Sequence, residues 1–210
     1  MNIEESAVAE IKGVKSGDAI KVFTKDYIAK LKGAFDSLPI DKIEVIADIL
    51  LGAYEKGNYV YIMGNGGSAA TAAHIVCDLA KGTIWPVAPG EKRFRIACLA
   101  DNTPLLTAWT NDIDYSQVFR EQILNLVGEG DVVIGISGSG NSMNVINAVE
   151  YANSCGAMTI GLTGCGGGKL KGIAKEFPAT IKTTIVSPTA LPNPNMIAAN
   201  IPDKPAGTKV

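Results

Sequence analysis

The sequence predicts an α/β protein whose parallel sheet is covered by helices on both faces. Three observations carry that expectation. Several short segments are apolar along their whole length, as strands buried on both sides must be. Segments with apolar residues at helical spacing separate them. Two of the strand-to-helix turns are rich in glycine, GNGGS at 64–68 and SGSGNS at 137–142.

Taken in order, residues 1–24 form a polar leader. KDYIAKLKGAFDSL (25–38) is the first helix, and Pro39 breaks it. Asp41 is the expected N-cap of IEVIADILLGAYEKG (43–57), with Gly57 as its stop. YVYIMG (59–64) is a buried strand, and the alanine-rich SAATAAHIVCDLAKG (68–82) a helix ending at Gly82. FRIACLAD (94–101) is a strand, and TPLLTAWTND (103–112) a short helix with proline near its start. SQVFREQILNLVGEG (116–130) reads as an amphipathic helix, DVVIGIS (131–137) as a strand, and SMNVINAVEYANSCG (142–156) as a helix. MTIGLTG (158–164) is a strand, GKLKGIAKEF (168–177) a weaker helix, and ATIKTTIV (179–186) a last strand. Half of the chain's 10 prolines fall in 188–210, at Pro188, Pro192, Pro194, Pro202 and Pro205, so an irregular tail is expected there. The organisation is therefore a leader (1–24), one domain (25–187) and a tail (188–210).

Composition excludes several classes. The 210 residues suit one domain, and 47% hydrophobic against 19% charged residues supply a sizeable core. A net charge of −2 predicts no nucleic-acid footprint, which would need a basic face that a balanced total does not itself reveal. No stretch reads as membrane-spanning or secretory, which predicts a cytoplasmic protein. Cys77, Cys98, Cys155 and Cys165 are widely spread with no C-x-x-C pair. They read as thiols in a reducing compartment, not as a disulfide framework or a Cys/His zinc knuckle.

The two glycine loops point to a phosphorylated ligand. Glycine lets the backbone approach an anion, the first helical turn offers free N–H groups, and serine hydroxyls add donors. In a parallel sheet such loops gather at the carboxyl edge, where small ligands bind. Glycine and serine also make ordinary strand-to-helix turns, but two loops at corresponding places favour the anion site. GNGGSA fits the dinucleotide pattern G-x-G-x-x-A, with Asp101 as the ribose acid. Asp101 lies too far along, however, and that pattern gives the serine loop no role, so no nucleotide cofactor is expected. A P-loop fails as well, because Leu170 follows Gly168-Lys169.

His74 is the chain's one histidine, and it stands four residues before Asp78. It reads either as a packed core histidine or as a functional imidazole. At i and i+4 the pair shares a helical face, where it suits a divalent metal or an acid–base couple. Two ligands alone do not make a metal site.

With GNGGSAATAAH, the Asn111-Asp112 pair and GDVVIGISGSGNSMNVINAVE (130–150) in view, the chain resembles the sugar isomerase (SIS) domain family, in particular its phosphoheptose isomerase branch. The resemblance runs over roughly residues 25–186. It implies a three-layer sandwich with a five-stranded parallel sheet, a homotetramer, and active sites shared between subunits. The activity implied is aldose–ketose isomerisation of sedoheptulose 7-phosphate. By position, Asn65, Gly66 and Gly67 would touch the sugar, Ser68 would open the first helix of the site, and Asn111 and Asp112 would line the pocket. Ser137, Gly138, Ser139 and Ser142 would hold the phosphate. His74 would be a zinc ligand, and Asp78 would stand where the family has a glutamate that binds zinc and acts as base.

Two departures bear on activity. Aspartate is one methylene shorter than glutamate. In addition, the proline-rich end replaces a family helix whose glutamine and histidine complete the metal site, as in a truncated or frame-shifted reading of a family member. The expectation is a phosphorylated-sugar binder and isomerase with an incomplete C-terminal catalytic segment. The rival is a non-catalytic sugar-phosphate sensor, or an adaptor such as a replication-initiator-associating protein.

Overall fold

The computed structural model describes residues 16–83 and 90–177. Two compact units divide them after Ser37. The first contributes one described element, helix α1 (Ser16–Asp36). It starts at Ser16 and not at Lys25, so the expected polar leader is helical from Ser16 onward. Asp18 sits in its first turn, where a carboxylate favours the helix, and an Asp26–Lys30 ion pair of 2.6 Å spans one further turn.

The second unit opens with α2 (Ile40–Lys56). Pro39, not Asp41, occupies the N-cap position, and Asp41 lies in the first turn. The ring of Pro39 presets a φ of −80°, so the helix begins directly after it. Gly57 ends the helix at φ 75°, as glycine at that place allows.

There follow β1 (Tyr59–Gly64), α3 (Gly67–Cys77) with a π-helical turn (Asp78–Gly82), β2 (Arg95–Cys98) and α4 (Thr103–Asp112). A 3₁₀ turn (Tyr115–Gln117) leads to α5 (Val118–Ile123), then come β3 (Val132–Ser137), α6 (Met143–Ser154), β4 (Met158–Thr163) and α7 (Leu170–Ile173). All four strands are parallel, in the order β2-β1-β3-β4. Five strands were expected, and the described residues form four. The segment 179–186 and the tail lie outside them. After α7, Glu176 bridges to β4, its N–H 2.9 Å from Thr159 O and its carbonyl 3.0 Å from Gly161 N.

Side chains alternate across β1, so the sheet separates two cores. Tyr61 and Met63 pack with Phe119, Ile123, Val133, Val145, Val149 and Leu170 on one face. Val60 and Ile62 pack with Ala53, Ala72, Ile134, Ile136 and Ile160 on the other. Burying side chains of this size stabilises by about 1.5–3 kcal/mol each. A Cβ at Gly135 would meet Val145 Cγ1 at 2.7 Å, so this glycine is what lets α6 lie close on β3.

Two expected helices are cut short. The 116–130 segment is helical only through the 3₁₀ turn and α5, because Asp131 draws the chain into a turn, accepting from Gly128 N at 2.9 Å and Tyr59 N at 2.8 Å. The 168–177 segment keeps helix over Leu170–Ile173 only. Ala174 is already extended, since pairing with β4 outweighs local propensity. No helix among the described residues is long and apolar enough to cross a membrane.

Candidate functional site

Both glycine loops leave the carboxyl edge of the sheet, from adjacent strands in register at Gly64 and Ile136. In the first loop two of the three glycines answer a local demand. A Cβ at Gly64 would lie 2.7 Å from Ser68 Cβ, and Gly66 turns at φ 52°, ψ −120°. Gly67 begins α3, one residue before Ser68, which was expected to open it.

The second loop is shaped from within and from below. The buried Ser137 hydroxyl lies 3.0 Å from that of Ser142, and the Ser139 hydroxyl accepts from Asn141 N at 3.2 Å. Gly138 and Ser139 are exposed. Ser142 caps the start of α6 without a side-chain bond to its N–H groups, so the hydroxyl is not spent on the helix. The following loop, Gly164–Gly168, supports the turn: Gly138 O accepts from Gly164 N at 2.9 Å, and Gly140 O from Leu170 N at 2.9 Å. First-turn N–H groups, exposed backbone and serine hydroxyls together make a cradle suited to phosphate.

Asn65 and Asn144 join the loops. Their side-chain amides exchange two hydrogen bonds of 2.9 Å, and the Tyr115 hydroxyl donates to Asn65 Oδ1 at 2.8 Å. Neither Asn144 nor Tyr115 was among the expected site residues. Tyr115 lies on the short turn after α4, capped by Asp114, which accepts from Ser116 N at 2.7 Å. Hydrogen bonds from the Ser116 hydroxyl and backbone hold the Asp114 carboxyl below its ordinary range.

The other expected residues share no hydrogen bond with this network among the described residues. Asn111 and Asp112 are exposed at the end of α4, bonded to one another at 2.8 Å. His74 and Asp78 approach to 3.5 Å with side chains 78% and 65% exposed. That exposure removes the core-histidine reading. As a zinc site the pair is too small, because structural and catalytic zinc sites take three or four protein ligands. No group of three His, Cys, Asp or Glu residues that could hold a metal occurs among the described residues. Among the described residues His74 and Asp78 supply two donors, fewer than the three or four that a zinc site takes from protein. A cavity of about 580 Å³ lies elsewhere, lined by Ile113, Gln117, Arg120, Glu121, Asn147 and others on α5 and α6, and it includes none of the expected site residues.

A parallel sheet that carries two glycine-rich loops at its carboxyl edge defines an α/β protein with an edge suited to a small anionic ligand. Residues 24–164 match the SIS domain, and the chain belongs to that family. It is 42% identical over 152 residues to a probable phosphoheptose isomerase of Thermoplasma acidophilum, covering 72% of this chain and 81% of that protein. It is 39% identical over 154 residues to the phosphoheptose isomerase of Aquifex aeolicus, covering 73% and 78%. Among solved structures it is similar to phosphoheptose isomerase from Neisseria gonorrhoeae, with a TM-score of 0.69 and 28% identity over 84% of this chain and 90% of that one.

Proposed function

We propose that this chain is a sugar-phosphate isomerase that interconverts sedoheptulose 7-phosphate and an aldoheptose 7-phosphate. The observation that carries the proposal is the pair of glycine loops on adjacent strands, bound together by Asn65 and Asn144. Relatives named phosphoheptose isomerases, matched over most of their length, support it. The same relatives disfavour a sensor or adaptor.

The serine loop and the start of α6 bind the phosphate and fix the far end of the sugar. Asn65 and the backbone at Gly66 and Gly67 meet the sugar, and Asn111 and Asp112 close its surroundings. Isomerisation moves one proton between neighbouring carbons. A base takes it from the carbon beside the carbonyl, giving an enediol, and returns it to the former carbonyl carbon as the other oxygen loses its proton. Asp78 is the proposed base, with His74 beside it to move the oxygen-bound proton.

A homotetramer with shared active sites belongs to the same proposal. The exposure of His74 and Asp78 leaves room for groups from a second subunit, and Ile20, Phe23, Tyr27 and Phe35 on α1 are exposed apolar side chains. Light scattering on the purified chain tests it. A cytoplasmic location completes the proposal, supported by the free thiols Cys77, Cys98 and Cys155, and cell fractionation tests it.

The test of function is incubation with sedoheptulose 7-phosphate in deuterated water, followed by NMR. Formation of the aldose with deuterium exchange at the reacting carbon is expected. Binding without exchange or product would replace the isomerase by a sugar-phosphate binder.

A further inference from the structure

One fixed donor sets the direction of every hydrogen bond around Asn65. The backbone N–H of Val145 only donates, and it lies 3.0 Å from Asn144 Oδ1. That oxygen is therefore the acceptor end of the Asn144 amide, and Nδ2 is the donor end. Reciprocal pairing then sets Asn65 Oδ1 opposite Asn144 Nδ2. The Tyr115 hydroxyl meets the same Asn65 oxygen, which carries no hydrogen, so Tyr115 is the donor. An amide oxygen accepts two bonds and an amide nitrogen donates two. Asn65 Oδ1 is thus filled, by Asn144 and Tyr115. One Nδ2 hydrogen goes to Asn144 Oδ1, and the other has no acceptor among the described residues.

We propose that Tyr115 is a positioning residue of the sugar site, saturating Asn65 Oδ1 so that Asn65 meets the sugar only as a donor to an acceptor oxygen. The proposal rests on the sugar-phosphate reading above. Without Tyr115, Asn65 Oδ1 keeps a lone pair that a sugar hydroxyl or water can occupy, and the amide can then accept from the sugar as well as donate to it. The turn that carries Tyr115 is built to hold it. Asp114 caps it, Gln117 N closes it on Asp114 O at 3.0 Å, and Asn147 Nδ2 on α6 donates to Ser116 O at 2.9 Å. Both arms that hold Asn65 are therefore referred to the same helix, one through Asn144 and one through Asn147.

The test compares the full chain with its Tyr115→Phe variant, which keeps the ring and removes the hydroxyl. Three readouts are taken: the isotope-labelled Asn65 side-chain amide signals without ligand, affinity for inorganic phosphate, and turnover of sedoheptulose 7-phosphate. The Asn65 signals should shift, kcat should fall about tenfold, the order of one hydrogen bond, and phosphate affinity should stay the same. Unmoved Asn65 signals would overturn the proposal. So would equal losses of turnover and phosphate affinity, the mark of a merely structural role. A wild-type chain that binds sedoheptulose 7-phosphate without turning it over, with Asn65 signals that still shift in Tyr115→Phe, supports the positioning role and overturns the isomerase reading alone.

Discussion

Gly140 and Gly167 pack backbone against backbone, so a Cβ on Gly140 would run into the Gly167 carbonyl. Gly140 turns at φ 68° and Gly167 at φ 99°, and a Cβ on Gly168 would come within 2.5 Å of Ser139 O. The serine loop takes its shape from the loop after β4.

Gly140→Ala should therefore destabilise the protein by about 1–3 kcal/mol from backbone conformation alone. Phosphate affinity should fall with it. Denaturant unfolding and calorimetry check this, and an alanine variant with unchanged stability would contradict the interlocked loops.

Replacing Ser137 and Ser139 together by alanine should weaken sugar-phosphate binding by about 1–3 kcal/mol for each charge-assisted bond lost. The Ser137–Ser142 contact of 3.0 Å is lost in the same variant. Unchanged affinity by calorimetry would take the phosphate away from this loop.

Asp78→Glu should raise turnover, by up to about a hundredfold if the shorter side chain displaces the carboxylate by an ångström. Asp78→Asn should lower it by about 10²–10⁴-fold, as for loss of a general base. Stopped assays on both variants decide the role, and equal rates in all three proteins would exclude Asp78 as base.

Zinc added to the protein should be removed by dialysis against a chelator, since His74 and Asp78 supply two donors. Stoichiometric zinc surviving the wash would reveal further ligands, and elemental analysis reads the outcome directly.

Tyr61 gives a signature at high pH. Burial, and next the charge of Asp131, push its hydroxyl up to about 12 from 10.0. The unfolded chain ionises first, so the contribution is whole below about pH 10 and is lost as pH rises toward 12. Tyr61→Phe should flatten that slope. Loss of the 3.2 Å bond to Leu126 O should cost about 1 kcal/mol at neutral pH. Unfolding followed between pH 9 and 12, as rough limits for the titration, checks the slope.

The four described strands were legible because each is largely apolar along its length, and α4 because its cap is local: Asn102 accepts from Leu105 N at 3.2 Å, and a proline stands in the first turn. Helices α5 and α7 were not, since Asp131 and Glu176 end them through bonds to distant strands. The glycine loops were legible for the same reason as α4. Gly64 and Gly66 meet demands set within five residues. Asn144 is different. It is 2% exposed, and its meaning lies in a partner 79 positions away. The exposure of His74 was likewise invisible on an alanine-rich helix, where no polar and apolar faces divide.

The sheet order has a bearing on how the chain is made. Strand β1 emerges from the ribosome complete with its glycine loop, but its central neighbour is β3, and Tyr59 N awaits Asp131, 72 residues later. Until then Val60 and Ile62 have no strand on that side and lie open to the wrong company. Closing so long a loop slows folding and leaves the nascent half-sheet prone to sticking. The ligand cradle therefore comes into being only late in synthesis, after the strand that supplies its first loop has waited longest for a neighbour.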